Sequence, residues 1–173
     1  MRFRNPVLGM IDGRRVQDTT SAEPLFGYSY RVEEMRTYDG LGGPPSRVTY
    51  DYGTRCYDQG AANKTNGGTL CAGPDSEEFG PLVGHDWVRV TPLDFDGTPL
   101  SQSKHLFHTT PYEWRGKEYQ TEAYDGGGTA LLQESVTTWA GNADFSYVEE
   151  TVSTDHSGAE DVSTKTTYTY DTQ

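Results

Sequence analysis

The sequence predicts an all-β fold of successive antiparallel β-hairpins forming an extended, twisted sheet, with little or no helix. Three observations predict it. Period-two alternation recurs: Tyr28, Tyr30 and Val32 fall on one face with Ser29 and Arg31 on the other, and Val48, Tyr50 and Tyr52 alternate with Arg47, Thr49 and Asp51. No 3.6-residue apolar period is sustained, and Gly or Pro interrupts most windows long enough for a helix. The chain is also rich in residues that suit a pleated, half-wet surface, with 12 Tyr.

The same composition limits the core. Leu, Ile, Val and Phe number 28 of 173 residues and the formal charge is −12, a balance that often accompanies disorder. The aromatic and Thr content opposes that outcome, so ordered strands around a thin core are expected. The acidic balance, with no run of Lys and Arg, excludes sequence-independent binding to nucleic acid or to an anionic membrane surface. No apolar stretch of about 18 residues occurs, so membrane insertion is not expected. The opening MRFRNPVLGMIDGRR lacks the apolar run of a signal peptide, which leaves a cytosolic chain or an interior piece of a longer exported polypeptide.

Residues 1–27 read as an irregular N-terminal segment, and 28–173 as a β-hairpin repeat region with an irregular loop insert at about 57–86. Residues 28–52 form a long-looped hairpin, because DGLGGPPS cannot continue a strand and can reverse the chain. Residues 87–95 lead into a turn at Asp96-Gly97-Thr98 and return as PLSQSKHLFH; Asp-Gly supplies the positive φ that tight reversals demand. Residues 117–124 turn through Asp125 and Gly126 to Gly128, returning as TALLQESVTTW. Residues 145–152 turn through TDHSGAED and return as VSTKTTYTY. Two turns resemble each other: Phe95-Asp96-Gly97-Thr98 aligns with Tyr124-Asp125, a two-Gly insertion, then Gly128-Thr129. Gly97 and Gly128 are thus 31 residues apart, a repeat-like spacing.

Cys56 and Cys71 bracket a polar, Gly- and Asn-rich loop without the short spacing of a zinc or redox motif. A disulfide staple fits best, worth about 3 kcal/mol in the chain-entropy picture; two reduced thiols are the alternative. Asp94-x-Asp96-Gly97 has the start of a calcium loop but no later bidentate Glu in register, and a hairpin turn accounts for both aspartates. His105 and His108, three apart on a strand, point to opposite faces and do not converge on a metal. No G-x-S-x-G elbow or comparable nucleophile arrangement is found, so neither catalytic residues nor a cofactor are expected. Glu33-Glu34, Glu77-Glu78 and Glu149-Glu150 read as solvated charge, the last as an edge-strand guard. Asn63-Lys64-Thr65 fits a glycosylation sequon but reads equally as a polar loop tip. Trp87, Trp114 and Trp139 are candidates for stacking on sugar rings, against the simpler account that they fill a sheet face.

Tyr-Asp recurs at residues 38, 50, 57, 124 and 170, and the C-terminal TTYTYDTQ and the stretch RGKEYQTEAYDGGGTALLQESVTTW resemble segments of the RHS/YD-repeat family. The likeness covers residues 28–173 loosely and 86–173 well. It implies a strip of β-hairpins that, in full-length members, coils into a shell around a toxin or other passenger, or forms a surface scaffold. The expected function is therefore a non-enzymatic structural segment of an exported protein, extracellular or at the cell surface. Its partners would be the remainder of a larger YD-repeat polypeptide, or other copies met through sheet edges. The alternative is a β-sandwich module that binds carbohydrate or another surface ligand; a hydrolase comes third.

Overall fold

The computed structural model describes residues 2–5, 9–17, 30–58, 69–71, 82–110, 114–142 and 145–171. These fold as antiparallel β-structure without helix. The first strands are β1 (Arg2–Asn5), β2 (Gly9–Gln17), β3 (Tyr30–Thr37) and β4 (Ser46–Tyr52). After them come β5 (Arg55–Asp58), β6 (Thr69–Cys71) and β7 (Leu82–His85). The remainder are β8 (Trp87–Leu93), β9 (Ser101–Phe107), β10 (Glu118–Asp125), β11 (Leu131–Gly141), β12 (Ser146–Asp155) and β13 (Val162–Thr167).

Ten of them form one sheet in the order β1-β2-β3-β4-β8-β9-β10-β11-β12-β13, so that apart from one excursion each strand lies beside its predecessor in the chain. The hairpins expected over 87–108, 117–139 and 145–170 are present, and that expected over 28–52 pairs residues 34–37 with residues 46–49, residues 28 and 29 lying outside the described residues. The segment 1–27 is not wholly irregular, because it carries β1 and β2, paired to each other and to β3. Its alternation is hidden by Gly13 and by a bulge at Arg14/Arg15, where Glu33 of β3 is left without an opposite residue.

The insert at about 57–86 is likewise more than a loop. Its strands make a three-stranded sheet ordered β6-β5-β7. In the main sheet Tyr52 pairs with Val88, and beyond it Arg55 pairs with His85 in the same register. Gly53 N donates to Trp87 O at 2.9 Å and Asp86 N to Thr54 O at 3.1 Å, so one continuous ribbon runs from the main sheet into the small one. A Cβ on Gly53 would overlap Asp86 Oδ1 and Trp87 Nε1, and this close approach explains the glycine. Cys56 and Cys71 stand opposite each other on β5 and β6 and are joined by a disulfide, which fastens the outermost strand of the small sheet.

The turns explain the 31-residue spacing, with one change of alignment. Gly97 N donates to Asp94 O and Gly128 N to Asp125 O, both at 3.0 Å, and both glycines have positive φ. The equivalent aspartates are therefore Asp94 and Asp125, 31 apart without a gap, and not Asp96 and Asp125. Composition misled the alignment because Asp96-Gly97 and Asp125-Gly126 look alike while occupying different turn positions. In a meander, alternate turns lie at one end, so these two share a rim with the loop after β3 and the turn after β12. The two turns also touch: Gln102 Nε2 donates to Gly126 O at 3.3 Å, and a side chain at Gly126 would strike Pro99 O.

The main sheet is a single open layer, not a sandwich, and the large element–element contacts all join ladder neighbours. Among the described residues only Cys56 at 3 % exposure is a buried apolar residue, and Glu34 and Thr91 are the buried polar ones. Such a sheet cannot rely on a packed core, and its ladder must be mended wherever a bulge opens it. Aromatic side chains with polar tips do this. Tyr52 Oη donates to Val32 O at 2.7 Å beside the Glu33 bulge. Trp139 Nε1 donates to Glu118 O at 2.8 Å beside the Glu118/Gln120 irregularity. Tyr170 Oη donates to Val148 O at 2.8 Å beside the Thr138/Trp139 bulge. At that last bulge Glu149 is the extra residue, and its carbonyl accepts from Tyr168 N. Glu149-Glu150 thus does not guard an edge: β12 is an interior strand, and Glu150 pairs with Lys165 of β13.

Candidate functional site

Directly paired residues of an antiparallel ladder share a face, so the register sorts the side chains. One face carries a charged ladder: Glu34 with Arg36 and Arg47, Lys104 with Glu122 at 3.9 Å, and Glu150 with Lys165. Glu34 is not the solvated charge that its position beside Glu33 suggests. Its hydrogen bond from Arg36, reinforced by Arg47, outweighs desolvation and lowers its pKa to about 2. The other face is apolar and aromatic at β4 and β8, with Val48, Tyr50, Val88 and Val90, and grades into Ser and Thr toward β13.

The two faces meet at one place. Pairing between β3 and β4 stops at Glu34 opposite Thr49, although β2 stays with β3 as far as Tyr30 and β8 with β4 as far as Tyr52. The Glu33 bulge bends β3 away and leaves a cleft of about 410 Å³. From β3 it takes Arg31 and Glu33; from β4, Tyr50, Asp51 and Tyr52; from β8, Trp87 and Arg89. The Arg31 guanidinium lies over the Tyr52 ring at 5.3 Å, and that of Arg89 over the Trp87 ring at 5.7 Å. Burial pushes the Tyr52 hydroxyl above its ordinary pKa, which keeps it a donor to Val32 O. Asp51 and Arg89 are cross-strand partners, yet Arg89 Nε is enclosed with no hydrogen-bond partner among the described residues.

Of the three candidate tryptophans only Trp87 lines this cleft. Trp114 sits at the β9–β10 connection, its ring 5.4 Å from His108, which also faces Tyr119 at 4.7 Å. Desolvation there lowers the His108 pKa. Trp139 is held by its bond to Glu118 O with Lys117 over its ring at 4.6 Å. From β8 to β11 is three strand spacings, about 14 Å, so Trp87 and Trp139 belong to different sites. His105 is bound to Glu118 at 3.1 Å and does not join His108. Asp94 Oδ1 accepts from Phe95 N and Asp96 Oδ1 from Thr98 N, so both carboxylates serve their own turn. Asn63 and the pair Glu77-Glu78 lie outside the described residues.

The sequence reading missed Arg31, Glu33, Asp51 and Arg89. Each looks like the polar half of an alternating strand, and only the register, with its lost pairing beyond Glu34 and Thr49, brings them together. In comparisons with known proteins, no family model, no curated protein and no solved structure matches this chain.

Proposed function

We propose that this chain is a non-enzymatic structural segment of an exported protein of the YD-repeat kind, forming part of the wall of a β shell or surface scaffold. The observation that carries the reading is the single-layer meander, in which hairpin follows hairpin in chain order and almost none of the described residues is buried. A sheet of this type gains stability from its neighbours along the strip and from whatever covers its faces, as repeat architectures do. The Cys56–Cys71 disulfide suits an oxidising compartment, and no helix among the described residues is long and apolar enough to cross a membrane.

The test is the gene product in its genomic context. Further Tyr-Asp hairpins encoded downstream of Gln173, and a closed β shell in electron micrographs of the whole polypeptide, are the expected outcome. A stop codon at this point with an export signal upstream, and a free-standing monomer in solution, would overturn the reading in favour of a binding module.

A further inference from the structure

We propose that the cleft between β3 and β4 is a binding site for an uncharged saccharide, independently of whether the chain serves as a shell wall. The lining contains two guanidinium groups, Arg31 and Arg89, and two carboxylates, Glu33 and Asp51. It therefore holds strong donors and strong acceptors with no net charge. An anionic ligand would meet the two carboxylates and a chain of net charge −12, and a cationic one would meet both guanidiniums. A sugar ring answers both groups at once, because each hydroxyl donates to a carboxylate and accepts from an arginine.

Two further features favour this occupant. Arg89, whose Nε has no hydrogen-bond partner among the described residues, brings an unfulfilled donor group to the wall of the cleft. The lining is predominantly polar, with the Arg31 and Arg89 guanidiniums lying over the Tyr52 and Trp87 rings, and would not hold a purely hydrophobic ligand. The volume of about 410 Å³ lies near the lower end of the usual range for ligand sites and fits a mono- or disaccharide unit. The cleft is built by irregularities, the Glu33 bulge and the Gly53 approach to Trp87, and such departures from a regular ladder often mark function.

The experiment titrates the intact chain, by calorimetry and ligand-observed NMR, with glucose, N-acetylglucosamine, cellobiose and chitobiose, and with glucuronic acid and glucosamine as charged counterparts. Saturable binding of at least one neutral sugar is expected, weakened at least tenfold by Asp51→Asn and by Arg31→Gln and unchanged by Trp114→Ala. Circular dichroism and melting of each variant separate a lost site from a lost fold. Because Arg89→Gln alters a group whose Nε is enclosed, Arg31→Gln and Asp51→Asn carry the test if Arg89→Gln fails to fold. No saturable binding to any of the four neutral sugars, equal binding by a folded Asp51→Asn, or tighter binding of glucuronic acid than of glucose would each overturn the proposal.

Discussion

Glu122 of β10 and Glu134 of β11 stand directly opposite each other, and the amide of Gln120 donates to both, at 2.9 and 2.6 Å. Like charges paired across strands oppose folding. Here the amide between them, the hydroxyl of Tyr124 at 2.8 Å and the ammonium of Lys104 turn the pair into a shared acceptor site. The hydrogen bond from Tyr124 raises that phenol's pKa, because ionising it would place a third anion beside Glu122.

Replacing Gln120 by Ala removes both donors and leaves the carboxylates facing each other. A loss of about 1–2 kcal/mol in urea denaturation is expected at low salt. The loss shrinks in 1 M NaCl, where screening reaches only about 3 Å. A salt-independent cost would show that the amide acts through packing alone.

The aromatic donors at the bulges predict that Tyr52→Phe costs about 1 kcal/mol, since it strips Val32 O of its partner while keeping the ring. Tyr170→Phe costs less, the residue being 46 % exposed so that water replaces the lost bond. Hydrogen exchange should quicken in β3 for the first variant and around β13 for the second.

Glu34 gives the acid limb of stability its shape. Its pKa in the fold, about 2, lies below its value of 4.5 in an unfolded chain. Its contribution is therefore present above pH 4.5 and is lost as pH falls through the folded value. Stability measured from pH 6 down to pH 2 should fall in this window for the parent chain, and the slope should flatten in Glu34→Gln.

Gly53→Ala drives a methyl into Asp86 and Trp87, where the chain leaves the main sheet for the small one. Overpacking of this kind costs about 1–3 kcal/mol, and it should change Trp87 fluorescence. Gly127→Ala serves as the control, because its nearest neighbours stand at 3.5 Å or more.

Reduction of the disulfide, or Cys56→Ser with Cys71→Ser, should free β6. The expected cost is about 3 kcal/mol for a loop of this size. Exchange at β5, β6 and β7 should rise well before the main sheet responds, since among the described residues the small sheet joins it through the narrow ribbon at Gly53 and Asp86 and the contact of His85 with Tyr52.

Much of the sheet was legible because its strands alternate cleanly and its turns carry Asp and Gly; the hairpins closing at Gly97 and Gly128 follow from turn chemistry alone. What escaped were features of pairing rather than of composition. The bulge at Glu33 and the matching register of β4–β8 and β5–β7 depend on which residue meets which across a ladder. No local pattern around Glu33 or Arg55 records that. The cleft was hidden for the same reason: Arg31 and Arg89 lie 58 positions apart in the chain and are brought together by strands that part company.

In the main sheet each strand has its template ready when it emerges, because that template is the strand made just before it. A chain delivered N-terminus first, by a ribosome or through a secretion pore, can therefore zip into place hairpin by hairpin without awaiting distant segments. The exception is the stretch between Tyr52 and Trp87. Until β8 arrives, the edge of β4 is bare, and the sheet is exposed to mispairing with another chain. Closing Cys56 onto Cys71 first folds that intervening stretch back on itself and shortens the search, so early oxidation should raise the yield of correctly folded protein.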